Sequence, residues 1–149
     1  MQEQVRPQAV IEDLKLPPHS IEAEQAVLGG LLIDTDSLED VGDMISEEDF
    51  YRFDHGLVFS AIKSLADKNQ PFDLVTVSEW LENNGQLDDA GGMAYLASLA
   101  HETPSAANIK AYAEIVRERS VMRQLIRIGT DISNTCYRPE GREAKEILE

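Results

Sequence analysis

From about Ser105 to Thr135 the chain reads as one long helix, and it carries more apolar surface than a single packing neighbour covers. Val121, Met122, Leu125, Ile126, Ile128 and Ile132 spread, at about 100° of rotation per residue, over roughly 160° of its circumference. A helix lying on one core usually shows a stripe of ~100°. A second surface is therefore expected to bury the excess. On the same stretch Arg119, Arg123 and Arg127 stand at i, i+4 and i+8, where like charges oppose each other by a few tenths of a kcal/mol per pair, about 0.2–0.5. An acidic partner would remove that penalty, so the helix reads as an association element.

The distribution of charge narrows the choice of partner. Residues 1–105 hold 5 Lys/Arg against 21 Asp/Glu, a net −16, whereas residues 106–149 hold 8 against 7, a net +1. Phosphate backbones are bound by clustered Lys and Arg through counterion release, so the acidic part should repel nucleic acid. Direct nucleic-acid binding is not expected. Cys136 is the only cysteine, which excludes an internal disulfide and a multi-cysteine zinc site and favours an intracellular, cytoplasmic chain. No apolar run approaches the ~18 residues needed to span a bilayer, so no membrane role is expected.

Helix signals recur along the whole chain, and no period-two alternation of useful length supports a sheet. The predicted class is all-α: a small multi-helix unit followed by a long helix and the start of a helical hairpin. Residues 1–13, rich in Gln, Glu and Pro, read as a disordered tail. Residues 14–104 read as a helical subdomain and 105–149 as the hairpin. Ser20 offers an N-cap to an apolar helix Ile21–Ile33, in which Gly29 and Gly30 suit the close approach of another backbone. A short helix follows at Ser37–Met44. Ser46 and Asp49 resemble a capping box, and Asp54 is expected to cap a helix built on Leu57, Val58, Ala61, Ile62 and Leu65. Thr76 with Glu79 reads as another capping box, with Gly85 as a left-handed C-terminal cap. Gly91 and Gly92 introduce a helix at Met93–Ala100. After a break at Tyr137–Gly141, Ala144, Ile147 and Leu148 begin a final helix that runs off the end without Gly or Pro. That predicts a hairpin whose second arm is truncated, in a piece of a longer protein.

Catalytic signals are weak. His19, His55 and His101 lie far apart and outside any metal-ligand pair, and are expected as caps or surface residues. The acidic groups Asp88 with Asp89, and Glu47, Glu48 and Asp49, lack the spacing of a calcium loop and read as solvated loops. A small metal-dependent hydrolase using them is the weakest alternative. Neither Gly-Gly pair has the Lys-Ser/Thr of a P-loop, and no serine sits in a nucleophile elbow. Cys136 reads as a buried or semi-exposed inert thiol. Trp80 and the tyrosines read as core. No catalytic residue, cofactor or metal is expected.

Four strings carry more specific information: Leu16-Pro17-Pro18-His19-Ser20-Ile21-Glu22-Ala23-Glu24-Gln25-Ala26-Val27-Leu28-Gly29-Gly30; Gly91-Gly92-Met93-Ala94-Tyr95-Leu96; Thr103-Pro104-Ser105-Ala106-Ala107-Asn108-Ile109; and Tyr112-Ala113-Glu114-Ile115-Val116-Arg117-Glu118-Arg119. In this order they closely resemble the N-terminal domain of bacterial DnaB-type replicative DNA helicases, over about Leu14–Glu149. The resemblance implies a helical unit followed by a helical hairpin, with hairpins of two subunits pairing in a six-membered collar above a separate ATPase motor. It implies no ATPase in this chain. The implied partners are other copies of itself, the helicase-binding domain of a DnaG-type primase and, in some bacteria, a helicase loader. The wide apolar sector would then be the hairpin contact. A free-standing helical adaptor is the alternative reading.

Overall fold

Seven α-helices make up the regular structure of residues 16–149, the part of the chain that the computed structural model describes, and no strand occurs among them. The tail expected at residues 1–13 lies outside the described residues. Helix α1, Ile21–Ile33, has the bounds the apolar run predicts, and the Ser20 hydroxyl accepts from the Ala23 N–H at 3.2 Å. Its Ala23, Val27, Leu28 and Leu31 are buried, and it packs against α5, Gly92–Glu102, and α6, Ile109–Tyr137. The crossing with α5 explains Gly29. A Cβ there would fall into the Thr103 hydroxyl and the Leu99 carbonyl, so only glycine lets the two backbones come this close.

The stretch after α1 is tighter than the continuous helix expected at Ser37–Met44. A 3₁₀ turn at Thr35–Ser37 runs into the single-turn α2, Leu38–Val41, and Asp34 accepts from the Asp36 N–H. Helix α3, Phe53–Asp67, inserts Val58, Phe59, Ala61 and Ile62 into the core. Asp54 is not its cap. It is the second helical residue, bonded to the Arg52 guanidinium and the His55 N–H, while the preceding Tyr51 and Arg52 N–H groups donate to Glu24 of α1. Helix α4, Leu74–Asn83, is capped one pair earlier than predicted. Asp73 accepts from the Thr76 N–H at 2.9 Å and the Thr76 hydroxyl accepts from the Asp73 N–H at 2.8 Å, leaving Glu79 exposed. Asp73 prevails because Leu74 and Val75 already belong to the helix, so Thr76 occupies its third position. Gly85 has the expected left-handed backbone, φ 68°. Trp80 is half-buried instead of a core residue, with the Lys68 ammonium 4.5 Å above its ring.

Helix α6 begins four residues later than the sequence suggests, after the turn at Ala106–Asn108, and runs for 29 residues. Ile109, Ala113 and Val116 are buried in the same core as α1 and α3, so core contact crosses the expected boundary at residue 104. Beyond Ser120 no residue of α6 is buried. The chain reverses where Glu140 and Gly141 adopt positive φ, and the short α7, Ala144–Leu148, returns along the end of α6.

Candidate interaction site

The buried residues Ile109, Ala113, Val116 and Ser120 of α6 cluster within about 60° of its circumference at 100° per residue. The centre of the apolar sector lies about 170° away from them. Its side chains are open: Met122 is 47% exposed, Leu125 57%, and Ile126, Ile128 and Ile132 54% each, while Val121 is half-buried. The second half of α6 thus projects from the core with its apolar face turned outward. Near its end Ile132 and Cys136 line a groove with Pro139, Arg142, Ala144, Ile147 and Leu148. Cys136 is exposed, contrary to the expectation of a buried or semi-exposed thiol, because it lies on this outward face.

The three arginines do not share that face. By the same rotation Arg123 and Arg127 lie within about 50° of the buried side and Arg119 about 90° from it. Arg123 has its partners in its own chain. Its guanidinium donates to the Pro18 carbonyl and to the Asp49 carbonyl, both at 2.7 Å, and lies 5.5 Å from the centre of the Tyr51 ring. The expected acidic partner is therefore replaced, at this one position, by backbone carbonyls of the core. Arg119 is half-buried and Arg127 exposed, and neither forms an ion pair among the described residues.

Two polar clusters lie behind this surface. Asp49 is 2% exposed; its carboxylate accepts from Arg117 at 2.8 Å, the Ser120 hydroxyl at 2.7 Å and the Ser46 N–H at 2.8 Å. It is the half of the predicted capping box that forms clearly, and it is not part of a solvated acidic loop, although Glu47 and Glu48 are exposed. Deeper in, Glu24 accepts from the Tyr51 N–H at 2.8 Å and contacts His55 Nδ1 at 2.8 Å, while His55 Nε2 meets the Tyr95 hydroxyl at 2.6 Å. His55 is wholly buried, neither a cap nor a surface residue. Arg52 leans toward this cluster. The Asp54 hydrogen bond, helped by the nearby Tyr95, Asp54 and Glu24, holds its pKa above the usual guanidinium value against partial desolvation. No group of three or more His, Cys, Asp or Glu among the described residues is arranged to hold a metal ion.

Sequence reasoning did not reach Glu24, His55, Tyr95, Arg117 or Ser120. A usable signal existed: Glu24 stands on the Val27, Leu28 and Leu31 row of α1, and Ser120 continues the Ile109, Ala113, Val116 row of α6. A polar side chain on a buried row must have a partner.

Residues 16–118 match the family described as the DnaB-like helicase N terminal domain. The chain belongs to that family. It is 43% identical over 136 residues to the replicative DNA helicase DnaB of Haemophilus influenzae, and 46% over 126 residues to that of Geobacillus stearothermophilus. These matches take in 91% and 85% of this chain but only 29% and 28% of those proteins, so the chain spans under a third of the curated relatives it matches. The crystal structure of the N-terminal domain of DnaB helicase from Mycobacterium tuberculosis superposes with a TM-score of 0.86 at 39% identity, covering 89% of this chain and 93% of that one. A structure described as a DnaB-like replicative helicase and its interactions with primase aligns at TM-score 0.71 and 27% identity, over 87% of this chain and 30% of that one. The DnaB N-terminal domain thus accounts for the arrangement of α1 to α6.

Proposed function

We propose that this DnaB-type N-terminal domain works as a pairing and docking module. The outward face of α6, with α7, packs on the same face of a second copy to build a collar, and the collar receives primase and a helicase loader. The observation that carries this reading is the row of five half-exposed large apolar side chains on a helix half that buries none of its residues in the core. Together they expose on the order of 500 Å² per copy, the size of a functional patch on a monomer. A symmetric pair would bury about 1,000 Å², just below the range of stable interfaces, so a dimer in exchange with monomer is expected. Primase docking rests on the likeness to a helicase described with primase, with Arg119 and Arg127 available to an acidic surface. ATP hydrolysis and strand separation are assigned to other parts of the helicase, and the work is cytoplasmic.

Sedimentation velocity across a concentration series tests the pairing. Leu125→Asp sets a charge in the proposed contact and should weaken association by about tenfold or more while circular dichroism is unchanged. A wild type that stays monomeric at the highest concentration, or a Leu125→Asp variant that pairs equally well, removes the assignment. Titration of purified primase against wild type and an Arg119→Gln/Arg127→Gln variant tests the docking arm separately.

A further inference from the structure

We propose that Asp49 and Arg123 form a polar latch that sets the direction of the projecting half of α6, and that the arm swings when the latch opens. The apolar hold on α6 ends early. Val116 is its last buried apolar residue, and the side-chain hydrogen bonds that tie the helix to the core beyond it come from Arg117, Ser120 and Arg123. Arg117 and Ser120 both donate to Asp49 Oδ1, and Arg123 donates to the Asp49 carbonyl and the Pro18 carbonyl. Three residues over two turns of one helix therefore converge on one loop residue, and Arg123 also fastens the segment leading into α1. The loop cannot yield freely. Asp49 is fixed by the Ser46 N–H, and Tyr51 by Glu24 within the core and by stacking on His19 with ring centres 4.2 Å apart.

Leverage makes this placement consequential. Residues 121–137 extend about 25 Å beyond the latch at 1.5 Å per residue, so a tilt of about 10° at Ser120 moves the tip by about 4 Å. Directional hydrogen bonds resist such a tilt far better than the open solvent on the other side of the helix. They also release as a unit, because losing Asp49 frees Arg117 and Ser120 together. The arm's direction is thus held by a small polar device, not by continuous packing.

Cys136, the native single cysteine on the arm, gives a direct test. A spin label there is paired with one at Glu82→Cys on exposed α4, in a Leu125→Asp background diluted with unlabelled protein. The distances are then intramolecular whether or not copies pair. With the latch intact, a single narrow distance distribution is expected. Arg117→Ala/Arg123→Ala, which alters only side chains at or near the surface, should broaden it by about twofold or more without loss of helical circular dichroism, and Arg123→Lys should fall between. A control pair at Glu39→Cys and Glu82→Cys, with Cys136→Ser, should stay narrow throughout. An unchanged distribution in the double variant shows that the arm keeps its direction without the Arg117 and Arg123 bonds and overturns the latch. Broadening of the control pair as well shows general loosening of the core and overturns it equally.

Discussion

Replacing Glu24 by Ala removes one carboxylate and strands three donors that have no other partner among the described residues. The Tyr51 N–H and His55 Nδ1 stand at 2.8 Å and the Arg52 N–H at 3.4 Å. Each buried donor left unpaired costs about 1–3 kcal/mol. The two short bonds dominate, and water reaching the partly exposed Tyr51 offsets part of the loss, so a destabilisation of about 3–4 kcal/mol is expected. With a urea m-value of about 2 kcal/mol/M for a domain of this size, the unfolding midpoint should fall by about 1.5–2 M, read by circular dichroism. Glu24→Gln keeps an oxygen for the Tyr51 N–H and offers its amide to His55, which can present an acceptor nitrogen, so its cost should be about 1 kcal/mol. A Glu24→Ala midpoint within about 0.3 M of wild type would show that the cluster is dispensable and refute the reasoning.

Gly29→Ala should lower stability by about 1–2 kcal/mol, the clash exceeding the roughly 1 kcal/mol gained in helix propensity, and Thr103→Ala should not restore it because the Leu99 carbonyl stays in place; thermal unfolding of the single and double variants checks both. Asp73→Ala should cost about 1 kcal/mol through loss of the α4 cap, while Glu79→Ala should fall within about 0.5 kcal/mol of wild type, as urea midpoints will show.

Helix positions were legible wherever one apolar row and one cap agreed. Ile21–Ile33 is bounded by Ser20 on one side and the turn at Asp34 on the other, and its glycine pair announces a close crossing whose partner the sequence could not name. Caps were read less well where two polar residues compete within one turn. At α4 only Thr76-x-x-Glu79 has the usual pattern, yet Asp73, delivered in extended conformation from the preceding loop, forms the cap with Thr76 standing where Glu is usual. At α3 the residues leading into the helix are held from outside: Glu24, 27 residues earlier than Tyr51, accepts from the Tyr51 and Arg52 N–H groups, and the helix opens at Phe53 with Asp54 inside it. Local spacing carries no information about such an acceptor.

The same limit explains the two fates of the arginine stripe. Spacing placed Arg119, Arg123 and Arg127 on one row, with Asp131 within reach of Arg127 but no acid four residues before Arg119 or Arg123. It could not register that one member would come to rest over Tyr51 and between two carbonyls contributed from more than 70 residues away. Once Arg123 is held there, the row ceases to be a unit: the Arg123 guanidinium is tied to the core on the side where Ile109, Ala113 and Val116 are buried, and the apolar sector on the opposite side faces solvent. The wide apolar face and the arginine row are thus two ends of one arrangement, an inner side that orients the arm and an outer side left to contact something else. Any change that frees Arg123 should therefore alter the presentation of Leu125, Ile128 and Ile132 without touching them, and the pairing affinity of an Arg123→Ala variant should drop even though Arg123 lies outside the proposed contact.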